Sequence, residues 1–119
     1  MLAFNLLKKM ELIQGYWNPH ILAELNQQQV RLVKIQGEFV WHQHELEDEF
    51  FLVLKGQFEM HFRDKIITLK EMDAIVVPRK TEHKPVAHQE CWILLFEPAD
   101  TLNTGNVQDA LTKTNLPLI

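Results

Sequence analysis

Between Gln28 and Phe96 the chain is cut into short apolar runs by turns that recur every few residues, and nowhere in this interval is there room for a crossover helix. A parallel sheet needs connections of about a dozen residues or more between neighbouring strands, usually helical, so a parallel α/β arrangement is disfavoured. Antiparallel strands joined by tight turns remain, which predicts an all-β sandwich or barrel. The strands are read from period-two alternation over 28–36, 38–44, 49–54, 57–62, 65–69, 74–77 and 91–96. Val30 and Leu32 fall on one face of the first and Arg31, Val33 and Ile35 on the other. Phe58, Met60 and Phe62 point inward from the fourth, leaving Gln57, Glu59 and His61 outside. Turns are expected at 55–56, 63–65, 70–73 and 78–82.

Outside this interval the pattern changes. Residues 4–13 place Phe4, Leu6, Leu7, Met10 and Ile13 at mixed three- and four-residue spacings, predicting a short amphipathic helix capped by Asn5 and stopped by Gly15. Such a helix needs a surface to pack on. From about Asn103 the chain is polar and irregular, and we expect this tail to clasp a neighbouring subunit. The whole of 1–119 reads as one domain with its barrel over about 28–97.

Composition excludes several function classes. With 12 Lys and Arg against 16 Asp and Glu, the formal charge of -4 opposes nucleic-acid binding, which calls for clustered positive charge. The chain contains no serine, which removes serine nucleophiles. Its glycines, Gly15, Gly37, Gly56 and Gly105, are scattered singly, so no phosphate-cradling loop is present. A single cysteine, Cys91, cannot form an intrachain disulfide and reads as an inert buried thiol. No apolar run approaches the ~18 residues of a membrane span, and the first residues lack the order of a signal peptide. The expectation is a cytoplasmic protein with no membrane partner.

The histidines carry the chemistry. His42 and His44, one residue apart in an extended segment, project from one face. Glu49 opens the EFFLVL strand after an acidic loop, and His83 follows the Pro78 turn, 39 residues beyond His44. Three imidazoles and a carboxylate suit Zn, Fe, Mn, Ni or Cu, whereas Ca or Mg would want more oxygen. Spacing alone leaves open that His42 and His44 face water, and that Glu47 or Asp48 is the acid in place of Glu49. His61 and His88 are expected at the surface, and His20 has no partner the sequence identifies.

Gly37-x4-His42-x-His44-x4-Glu49-x6-Gly56 closely resembles the first motif of the cupin superfamily, with one residue fewer between the first glycine and the first histidine. Asp73-x4-Pro78-x4-His83 resembles the second. There the usual leading glycine is Met72, the glycine after the proline is Lys80, and the terminal asparagine is Ala87. The resemblance covers about 28–97. It implies a double-stranded β-helix, or jelly-roll barrel, with His42, His44, Glu49 and His83 as ligands of one divalent transition metal (Zn, Fe, Mn or Ni). Lys80 removes an easy route to positive φ before His83.

The resemblance implies small-molecule chemistry in the barrel, by metal-assisted isomerisation or oxygenation; the alternative is a non-catalytic small-molecule sensor. No side chain stands out as a catalytic base. Phe39, Trp41 and Phe50, alternating outward, predict an apolar face that a homodimer would bury.

Overall fold

A computed structural model of Met1–Ile119 arranges the chain as α1 (Leu6–Met10), β1 (His20–Leu25), β2 (Gln28–Glu38), β3 (Glu49–Lys55), β4 (Phe58–Phe62), β5 (Ile66–Leu69), β6 (Ala74–Val77) and β7 (His83–Pro98). The strands run β1-β2-β7-β3-β6 along one path, with β4 joining β7 and β5 joining β4. All pairings are antiparallel. The 16-residue β7 organises the whole. Its start, His83–Val86, pairs with β4, and its later part pairs with β2 on one side and β3 on the other. This is the all-β barrel that the strand pattern predicts, in the jelly-roll form that the motif resemblance implies, with the short N-terminal helix in place. No helix is long and apolar enough to cross a membrane.

Alternation sorts the apolar residues into two layers. Val33, Ile35, Phe51, Val53, Phe58, Met60, Cys91, Ile93 and Leu95 fill the barrel, joined by Trp17 and Phe39. Leu32, Trp92 and Leu94 project from the opposite face and pack with Met10 and Ile13. Burial of such side chains is worth about 1.5–3 kcal/mol each, which holds a helix too short to stand alone. The α-helix is only 5 residues, shorter than the predicted 4–13. Asn5 caps it as expected, accepting from the Lys8 amide. Its end tightens into three-residue bonds, Leu12 N–H to Lys9 and Ile13 N–H to Met10. These keep Ile13 against the sheet.

Three expectations are corrected by the backbone. β1 escaped the alternation reading because its residues are all half-buried or exposed. It is joined to β2 by Asn26 and Gln27, both at positive φ (50° and 66°), a pair that suits a two-residue hairpin turn. The second correction concerns 38–44. The β2–β7 register shifts between Ile35 and Gly37, and Gly37 sits at φ +88°. The faces of β2 nevertheless run on unbroken, so Phe39 keeps the inward side of Val33 and Ile35, and the alternation breaks only between Phe39 and His42, which are both buried. Glu38 therefore turns out to meet Lys84, and Phe39, expected outside, enters the core and stacks on Trp17. β2 ends at Glu38, so His42 and His44 lie beyond the ladder, joined to it only by a His42–His83 bridge. Trp41 is half-buried beneath Arg63.

The third correction is the tail, which lies on its own barrel. Thr101 and Thr104 are buried, and Ile21 exchanges backbone hydrogen bonds with Pro117 and Ile119. Asn106 N–H donates to the Gln43 carbonyl, while the Gln43 amide donates to Asn106 Oδ1. Gly105, at φ +56°, is required here because a Cβ would run into the Gln43 carbonyl. The tail thus backs the segment that carries His42 and His44.

Candidate metal centre

His42, His44, Glu49 and His83 come together inside the barrel, all buried, with their ligand atoms within 4.8 Å of one another. Paired backbone hydrogen bonds between His42 and His83, of 3.1 and 2.9 Å, clamp the two imidazoles side by side. Each ring donates its Nδ1 hydrogen to a carbonyl two residues back, His42 to Val40 and His83 to Thr81, both at 2.8 Å. Those bonds select the tautomer in which Nε2 keeps its lone pair. Lys80 N–H holds the carbonyl of His44 at 2.7 Å, and Lys80 adopts φ +65° despite its side chain. The turn that normally uses glycine is therefore formed here without one, and His83 is aimed correctly.

The three acids separate by role. Glu49, the first residue of β3, places Oε1 2.8 Å from His44 Nε2 and 3.2 Å from His83 Nε2. Glu47 stays 4.0 Å from His44 Nδ1 at the rim. Asp48 accepts from the Arg79 amide and ties the acidic loop to the Pro78 turn.

These atoms fit a metal. Both nitrogens of His44, Nε2 of His83 and Oε1 of Glu49 are buried without a hydrogen-bond partner of proper geometry. Such orphans ordinarily cost about 1–3 kcal/mol each, and a divalent cation would accept the lone pairs that converge here. Burial, and next the neighbouring His83, push the His42 imidazole down to about 4, so it is held in the neutral, ligating form. Burial pushes the Glu49 carboxyl up, but the adjoining Glu97 carboxyl and the His44 and His83 imidazoles outweigh it and hold the group well below the usual carboxylate range.

A family model described as a cupin domain matches residues 29–95, which contain all four of these side chains. The chain belongs to the cupin family. Similar solved structures include a cupin-2 domain protein from Shewanella frigidimarina, 44% identical over 81% of this chain and 94% of that one, with a TM-score of 0.79. Another is protein NMB1881 from Neisseria meningitidis, 30% identical over 82% of this cupin and 99% of that chain, at a TM-score of 0.75. The uncharacterized protein YdbB of Bacillus subtilis is 39% identical over 64 residues, a match spanning 53% of this cupin and 57% of that protein.

The site also contains a buried ion pair that the sequence reading did not single out. Arg31 of β2 and Glu97 of β7 face inward and meet at 2.9 Å, with side chains only 3% and 1% exposed. Arg31 also donates to the carbonyls of Thr101 and Ala99 and to Gln29 Oε1, so every nitrogen of its guanidinium is hydrogen-bonded. Glu97 interacts side chain to side chain with Glu49. Burial, then the charge on Glu49, push the Glu97 carboxyl well above its ordinary range despite Arg31. A signal existed. Arg31 shares a face with Val33 and Ile35, and Glu97 with Ile93 and Leu95, so each charge continues an inward apolar row.

Beside these carboxyls lies a cavity of about 40 Å³, lined by His42, Glu49, Glu97, Trp17, Phe39 and Phe51 among others. It has room for a few water molecules or the tip of a small ligand. His61 lies outside the barrel, as alternation predicts, His88 lies at the surface, and His20 donates from Nδ1 to the Asn18 carbonyl. Cys91 is buried, and burial pushes its thiol up to about 12, which leaves it unreactive.

Proposed function

We propose that this cupin holds one divalent transition metal on His42, His44, Glu49 and His83 and binds or transforms a small oxygen-bearing molecule beside it. The observation that carries this reading is the set of converging, buried and unpartnered ligand atoms. Bound there, Zn, Fe, Mn or Ni would supply Lewis acidity toward a ligand oxygen, and iron would add redox chemistry. The Val40 and Thr81 carbonyls fix two imidazoles in their ligating tautomer. Trp17, Phe39 and Phe51 line the cavity with apolar surface, and Glu97, its carboxyl raised into the protonated range, presents a buried Oε2 that can donate to a ligand oxygen. Elemental analysis of native-purified protein tests the site. About one metal per chain is expected, falling to a small fraction in the His42→Ala/His44→Ala double variant. Equal content in both proteins would refute it.

We further infer a reducing, cytoplasmic setting, which suits a single unpaired thiol, and a homodimer. The dimer face moves from the one expected around Phe39 and Trp41 to the outer layer of the sheet. There Phe50, Leu52, Leu54 and Phe96 are only partly covered, and Val76, paired with Phe50 on edge strand β6, is 57% exposed. Light scattering should give twice 14.0 kDa. Val76→Glu, which disturbs no core contact, should return the monomer mass. A wild-type monomer at micromolar concentration rules out the interface.

A further inference from the structure

The outer face of β4 and β7 holds a second convergence of metal-binding groups. Glu59 and His61 are two residues apart on β4, and Glu59 stands opposite Val86 in the β4–β7 register. His88, two residues beyond Val86, is therefore the diagonal neighbour of Glu59 on the same face. His83 lies five residues before His88, an odd interval, which is why one strand sends one imidazole into the barrel and the other outside. Nε2 of His61 and Nε2 of His88 both reach the same oxygen, Oε1 of Glu59, at 2.9 and 3.2 Å. A shallow cleft opens beside them, with Glu38 on its rim.

We propose that Glu59, His61 and His88 form a second, surface site for a borderline divalent cation such as Zn²⁺, Ni²⁺ or Cu²⁺. Two imidazoles and one carboxylate are the donor set these ions prefer, and Ca²⁺ or Mg²⁺ would find too little oxygen. Two hydrogen-bonded strands carry the three ligands, so the backbone is already in place. His88 is the most exposed of them, at 74%, and has room to turn its ring onto the ion. Lys84, which stands opposite His61, is neutralised by Glu38 at 2.7 Å and does not repel a cation in full. Occupancy would tie β4 to β7 near the residues where β7 leaves β4 for β3, and binding to the native state alone would stabilise the fold. With three protein ligands at the surface, the affinity expected is micromolar, weaker than that of the buried centre.

Zn²⁺ titration by calorimetry, in the His42→Ala/His44→Ala background, decides the matter independently of the interior site. One micromolar equivalent is expected to survive there, and His61→Ala or His88→Ala added to that background should weaken it by at least the ~10- to 100-fold seen when a mere outer-shell partner is lost. Absence of this equivalent, or indifference to both added changes, overturns the surface site. If the background variant fails to fold, the same question is put to the intact barrel: two equivalents in the wild type and one in His61→Ala/His88→Ala support the proposal, and equal stoichiometry refutes it. A wild type that binds only the weaker equivalent would instead refute the interior centre.

Discussion

Replacing Arg31 with methionine is expected to lower the stability of the fold by about 3–5 kcal/mol, the usual cost of breaking a buried ion pair from one side. The guanidinium is 3% exposed and makes four hydrogen bonds: to Glu97 Oε1 at 2.9 Å, to the Thr101 and Ala99 carbonyls at 2.8 and 2.9 Å, and to Gln29 Oε1 at 2.9 Å. Its loss leaves the Glu97 carboxyl inside the barrel against Glu49 and frees the carbonyls that start the tail. The double change Arg31→Met/Glu97→Leu should recover much of the loss, because an apolar pair of similar volume leaves no buried polar group unpaired. Urea denaturation measures both. A single variant within about 1 kcal/mol of wild type, the scale of a surface pair, would show that the pair is not the anchor described here.

In the metal-free protein, acid should weaken the fold through His42. Burial and His83 bring this imidazole from 6.5 down to about 4 in the native state. Between those values the unfolded chain takes up a proton that the folded chain refuses, so stability falls as pH drops. At about 1.4 kcal/mol per pH unit the full effect is about 3 kcal/mol, complete near pH 4 and absent above pH 7. Glu97, whose carboxyl is raised, acts with the opposite sign, since its native form binds the proton more tightly. The clean measure is therefore the difference between wild type and His42→Leu, which retains Glu97. In chelator, urea midpoints at pH 7 and pH 5 should diverge for the wild type more than for the variant. Equal slopes would mean that His42 is not held neutral by its surroundings. Bound metal would oppose the loss at first and then be released, because its ligands must be deprotonated.

Local chemistry was enough to point to an all-β barrel and, with the motif resemblance, to single out the four central side chains as candidates. Period-two alternation depends only on neighbouring residues, so the inward rows of β3, β4 and the second half of β7 were legible directly. His42, His44, Glu49 and His83 stood out because a metal needs lone pairs at restricted spacings, and the motif resemblance supplied the fourth partner across 39 residues. What the local pattern could not carry was anything decided by register or by distant partners. The alternation breaks between Phe39 and His42, so counting back from the histidines put Phe39 outside and Glu38 inside, the reverse of where they lie. The Arg31–Glu97 pair spans 66 residues, and a charge at an inward position is tolerated only once its counter-charge arrives from another strand. The tail likewise shows no periodicity, because hydrogen bonds to Gln43 and Ile21 rather than an apolar stripe hold it in place. Alternation is a property of the strand, whereas the break before His42, the buried charge pair and the strap each depend on contacts that exist only after the barrel has closed.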